Sequence, residues 1–219
     1  MSKKYKVSLI LNILIVVMVL FATIAMFTGF KFMNSKDIVL TKSNIEMFKF
    51  YTVDSNLFMG IVSLIFIIFL LRKKNIPKLI YIFKLSATIG VMLTFLTTAI
   101  YLAPYAKYGY FSVFTNSNLF FHFLVPAVSF ISFVFFEKTN KLNFKECLIV
   151  VIPTIIYALC YVINILMHLE NGKVIAKYDF YGFANGGVIG IVIVFIFMIL
   201  VTFVIGFVLR YLNRRNYEE

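Results

Sequence analysis

His122 lies a few residues inside an apolar run, Leu119–Phe136, of about the twenty residues that cross a bilayer as a helix. An imidazole turned to lipid costs free energy, so an ionisable side chain at that depth is expected to face the bundle interior and to have a functional partner. Residues three or four apart share a helix face, which puts Thr115, Asn118 and His122 on one polar stripe. A second stripe, Thr52, Ser55 and Asn56, opens another apolar run, with Asp54 turned away from it. Lipid offers these groups no hydrogen bonds, so they must find partners inside the protein. A neutral imidazole accepts a proton near pH 7, and hydroxyls or carboxamides can donate to developing negative charge.

Helices must position these groups. The chain of 219 residues is 62% hydrophobic and 14% charged, against about 25% charged in soluble domains. Apolar stretches of spanning length fall at 7–30, 52–71, 79–102, 118–136, 148–167 and 188–212. They use nearly the whole chain, so the expectation is one all-α domain over 1–219, a polytopic bundle of six transmembrane helices. The first stretch is longer than the apolar core of a signal peptide and reads as a retained helix.

The formal charge of +12 reflects topology. Lys3, Lys4 and Lys6 precede the first stretch; Arg72, Lys73, Lys74 and Lys78 fill the second connection; Lys138, Lys141 and Lys145 fill the fourth; Arg210, Arg214 and Arg215 close the chain. The first, third and fifth connections together hold fewer: Lys31, Lys36, Lys42 and Lys49, then Lys107 alone, then Lys173 and Lys177. This alternation is the positive-inside pattern with both termini cytoplasmic, and it places the protein in a plasma membrane, with anionic lipid heads as contacts. Basic residues outside the stretches are not interleaved with aromatics, which argues against nucleic acid. Cys147 and Cys160 form no metal-ligand spacing with the two histidines, so no metal and no cofactor is expected. The oligomeric state is left open.

The second and fourth stretches open alike: Thr52-Val53-Asp54-Ser55-Asn56-Leu57-Phe58 and Thr115-Asn116-Ser117-Asn118-Leu119-Phe120, with a looser relative at Tyr181–Asn185. Three hairpins from a duplicated unit would explain this, as would shared capping chemistry. His168, beside Glu170 and Asn171, reads as an interfacial residue. Lys84, one turn inside the third stretch, reads as snorkelling to the cytoplasmic face.

Phe50-Tyr51-Thr52 and Asn118-x-x-x-His122-x-x-x-Pro126 together resemble the androgen-induced-gene/ADTRP family of six-helix membrane hydrolases and their prokaryotic relatives. The likeness implies a hydrolase of fatty acyl esters, with Thr52 as nucleophile and His122 as its base; Tyr181-Gly182-Phe183 departs from the family's usual Tyr-Pro-Phe. Ser55, Asn56, Asn118 and Thr115 are then candidates to orient the imidazole or bind the oxyanion. Counted from the inner ends of their stretches at about 1.5 Å per residue, Thr52 lies near 28 Å and His122 near 21 Å, a mismatch that a shift or tilt must remove. Two other readings use the same residues: a non-enzymatic ligand-binding or transport component, and a haem protein with His122 and His168 as axial ligands.

Overall fold

The computed structural model describes residues 3–34, 42–137 and 142–218. Five helices in it are long and apolar enough to cross a membrane: α1 (Lys3–Thr28), α2 (Tyr51–Leu71), α3 (Lys78–Tyr105), α4 (Ser117–Phe136), and α7 (Gly187–Glu218), whose apolar part is Ile189–Arg215. The described residues hold no named strand. The chain is therefore an all-helical, multi-pass membrane protein.

The fifth apolar stretch differs from the expected uninterrupted span. It is divided into α5 (Phe144–Ile149) and α6 (Ile152–Met167). Asn143 and Glu146 form a capping box that starts α5, while Pro153, without an N–H, sits in the first turn of α6 and favours a fresh helix start. At 16 residues, α6 is about 24 Å long, short of the roughly 30 Å hydrocarbon core.

Local chemistry fixes the other starts. Pro77, extended and lacking an N–H, stands before α3. Asn116 precedes α4 with φ +53°, and its Oδ1 accepts from the backbone N–H groups of Phe32 and Met33, both at 2.8 Å, tying the exit of α1 to the entry of α4. Three stretches wind more loosely than an α-helix, as π-turns: Thr97–Leu102, Phe120–Leu124 and Ser132–Phe136. The second has a cause in the sequence. Pro126 has no N–H to give to the carbonyl of His122, four residues back, and the helix widens there.

Within lipid, helices associate through close packing and polar ties. One packed cluster joins α1 to α4 through Ile15, Val19, Met59, Phe66, Val91 and Val125. A Cβ on Gly60 would lie 3.0 Å from Val19 Cγ1, so the glycine sets how closely α1 and α2 approach. A second cluster joins α3, α4 and α7 through Leu85, Ile89, Phe133, Ile205 and Leu209.

Lys84 is where the structure corrects the sequence. Its side chain does not snorkel: it is fully buried and forms a salt bridge with Glu137, Nζ to Oε1 3.3 Å. Nζ also donates to Asn12 Oδ1 at 2.6 Å and Ser63 Oγ at 2.8 Å, and lies 5.2 Å from the centroid of the Phe66 ring. Glu137 Oε1 further accepts from Asn12 Nδ2 (2.9 Å) and Ser132 Oγ (2.8 Å). Four helices thus meet at one ion pair.

Candidate functional site

The two stripes expected from spacing do converge, in part. Thr52 on α2 and Asn118 and His122 on α4 line one cavity of about 140 Å³, together with Thr98 of α3, Tyr157 of α6 and Met198 of α7. Its walls are mostly apolar, Leu93, Val194 and Phe195 among them.

His122 is 8% exposed, and the widened turn before Pro126 carries it. Its Nδ1 is 2.8 Å from the hydroxyl of Thr98. Thr98 is 1% exposed and itself stands in the π-turn of α3. Loosened helix on both sides brings the two side chains together, a form of irregularity that recurs at functional sites. The other ring nitrogen, Nε2, has no hydrogen-bond partner among the described residues, and the His122 side chain is among those that line the cavity. Sequence reading put Asn118 on the face of His122 and among the groups that could orient it, and missed Thr98. The only signal was the polar pair Thr97-Thr98 inside an apolar stretch, and such threonines usually bond their own backbone.

The remaining candidates separate into two groups. The Asn118 carboxamide, 7% exposed, lines the cavity and makes no hydrogen bond to the described residues. Thr52 also lines the cavity, and no hydrogen bond joins its hydroxyl to His122. Asn56, one turn further along α2, donates to the carbonyls of Thr52 at 2.7 Å and Phe121 at 3.2 Å, so it ties α2 to α4 beside His122. Ser55 bonds the Thr52 carbonyl and the Thr94 hydroxyl. Thr115 donates to the Ser112 carbonyl. Ser55, Asn56 and Thr115 are outside the cavity lining and act as ties between and within helices. Because Asn56 meets Phe121, Thr52 lies about one turn nearer the N-terminal ends of α2 and α4 than His122 does.

The two S-N-L-F segments hold different helical positions. Ser55 is in the second turn of α2, whereas Ser117 opens α4. Asn56 of the first donates to the carbonyl of Phe121, the residue that follows the second.

A second, open groove of about 1250 Å³ runs between α2, α3 and α6. Its floor includes Ser55, Ser86 and Gly90, Asp54 lines it, and Lys42, Lys49 and Lys177 lie along it. Tyr51, Thr154, Tyr157 and Tyr161 belong to both spaces and form the wall between them. The Tyr51 and Thr154 hydroxyls close that wall at 2.8 Å. A Cβ at Gly90 would stand 3.2 Å from Tyr51 Oη, so the absence of a side chain there seats the tyrosine.

The rim of the cavity beside Tyr51 is held by the segment before α7. Tyr181 Oη accepts from the Tyr51 N–H at 2.8 Å, and burial pushes its phenol up to about 12, keeping the proton on. Asp179 accepts from the N–H groups of Phe183 and Ala184, both 2.9 Å, and from the Tyr161 hydroxyl. Asp179→Ala would strand those donors at a cost of about 1–3 kcal/mol. The expected result is a lower melting temperature in detergent and loosened Tyr161; an unchanged melting temperature would show that the rim does not depend on this carboxylate.

His168 is engaged elsewhere: its Nδ1–H donates to the Asn164 carbonyl at 2.8 Å and its ring stacks on Tyr178 at 3.8 Å. Among the described residues no group of three or more His, Cys, Asp or Glu side chains could hold a metal. Cys160 is free and exposed. Comparison with protein-family models, with curated proteins and with solved structures gives no match to this chain.

Proposed function

We propose that this chain is a membrane hydrolase of fatty acyl esters of lipids, in which Thr52 attacks and His122 is the base. Six spans with both termini cytoplasmic, α5 and α6 together serving as the fifth, would put the site toward the outer leaflet of the plasma membrane. The observation that carries the reading is that Thr52, Asn118 and His122 line one mostly apolar cavity, with one imidazole nitrogen free of partners among the described residues. The likeness of Phe50-Tyr51-Thr52 and Asn118-x-x-x-His122 to the androgen-induced-gene/ADTRP hydrolases points the same way.

In the proposed step, Thr52 Oγ1 forms a bond to the ester carbonyl carbon and its proton passes to His122 Nε2. Asn118 Nδ2 donates to the oxyanion. Collapse breaks the bond to the alcohol oxygen, which leaves with the proton from Nε2. Water then attacks the acyl-Thr52 ester, giving its proton to Nε2, and the fatty acid departs as Thr52 regains a proton. The groove beside α6 suits an acyl chain arriving sideways from lipid, through the Tyr51–Thr154 wall. Apo sites often hold base and nucleophile apart until substrate draws them together, and a turn of offset between Thr52 and His122 fits that case.

The test is a fluorophosphonate probe, which modifies activated hydroxyls. Wild-type protein is expected to be labelled on Thr52, and Thr52→Ala to lose the label while keeping its melting temperature. An unlabelled wild type, or full labelling of the variant, rejects the hydrolase. The absence of a Thr52–His122 hydrogen bond favours a second reading, a non-enzymatic lipid-binding or transport component using the same cavity; retention of a lipid by both proteins without labelling of either would support it.

A further inference from the structure

We infer that Thr98 is the positioning residue of this site, holding the Nδ1 side of His122 so that Nε2 is the nitrogen offered to the cavity. The catalytic consequence and the expected position of the ring's proton rest on the hydrolase reading; the hydrogen bond does not. The Thr98 hydroxyl is the only group among the described residues bonded to either ring nitrogen. The ring is likewise the only partner of that hydroxyl. Both side chains are over nine-tenths buried, so water does not substitute freely for either.

A neutral imidazole carries one proton. To accept a proton at Nε2 it must keep its own on Nδ1, and the oxygen placed to receive that N–H is Thr98 Oγ1. Thr98 also lines the cavity, which gives its own hydroxyl proton a direction to point. Once Nε2 takes the proton of the nucleophile, Nδ1–H continues to donate to the same oxygen, and the imidazolium forms without the ring turning. The opposite tautomer would present Nε2–H to the cavity, a donor unable to act as base. The partner that orients the base is thus a hydroxyl on a facing helix, reached because α3 and α4 both loosen into π-turns at this level.

The chain has two histidines, so ¹⁵N-histidine labelling of the full-length protein in detergent gives two ring systems, told apart with His122→Gln. In wild type, His122 is expected to show a protonated Nδ1 and a bare Nε2. Thr98→Val, which keeps the shape and removes the hydroxyl, should mix or reverse the tautomers, and Thr98→Ser should restore them. The rate of fluorophosphonate labelling should fall about 10- to 100-fold in Thr98→Val and return to within about threefold of wild type in Thr98→Ser, as expected when a reacting group loses its orientation. A protonated Nε2 in wild type, a Thr98→Val spectrum identical to wild type, or a probe adduct on Thr98 itself would overturn the inference. The expected tautomer and its loss in Thr98→Val, in a protein that no probe labels, would leave the positioning role standing and remove the hydrolase.

Discussion

Glu137→Leu is expected to cost about 3–5 kcal/mol of stability, the largest loss from any single substitution away from the cavity. The reason is the charge that remains. Lys84 Nζ is buried among Asn12, Ser63 and the Phe66 ring, and among the described residues Glu137 is its only acidic neighbour within salt-bridge range. Removing the carboxylate leaves an ammonium in hydrocarbon with neutral oxygens alone. It also frees Asn12 Nδ2 and Ser132 Oγ, which both donate to Glu137 Oε1. Lys84→Met strands the carboxylate instead and should cost a similar amount. The informative protein is the double variant Lys84→Met/Glu137→Leu, because a pair of apolar residues removes both desolvation penalties; it should recover more than half of either loss. Reversible unfolding in mixed micelles measures all three. Additive losses in the double variant would show that the two charges are not coupled.

That ion pair also marks the limit of what one sequence discloses. Lys84 stands one turn inside an apolar stretch, where a long flexible side chain most simply reaches back to water. Glu137 closes a stretch 53 positions later, and nothing in the spacing joins them. Their meeting depends on how α1, α2, α3 and α4 pack, a property of ridges, glycines such as Gly60 and helix ends. Thr98 was hidden for the same reason. Within one helix the 3.6-residue period reports which residues share a face, and Thr52, Asn118 and His122 all line one cavity. It says nothing of which face lies opposite.

Periodicity also overstated some residues. Asn56 shares a face with Thr52, yet its carboxamide is held by the carbonyls of Thr52 and Phe121. Small polar side chains near a helix start serve backbone groups as readily as they serve ligands, and residue type alone does not separate the two uses. The apolar stretches themselves were legible because length and composition decide them. The divided fifth stretch was legible in principle through Pro153, four residues past the end of α5 and inside the first turn of α6, but hydropathy is blind to a missing N–H.

His122→Ala should lower the rate of probe labelling at Thr52 by about 10²–10⁴, the contribution of a positioned general base, with little change in melting temperature, since the ring makes one hydrogen bond and borders a cavity. His122→Gln is the sharper comparison: it keeps bulk and a hydrogen bond to Thr98 but cannot accept a proton at neutral pH, so a role in structure alone predicts recovery and a role as base predicts none. The three residues should then behave as one unit. Thr98→Val acts through the imidazole, so adding it to His122→Ala should lower the rate no further, a non-additivity characteristic of groups that serve one step. Asn118→Ala, which meets the substrate oxygen rather than the ring, should still cost its full factor in the His122→Ala background. A further loss from Thr98→Val in that background would mean that Thr98 touches the reacting ester directly, and the order of contacts Thr98 to His122 to Thr52 would have to be redrawn.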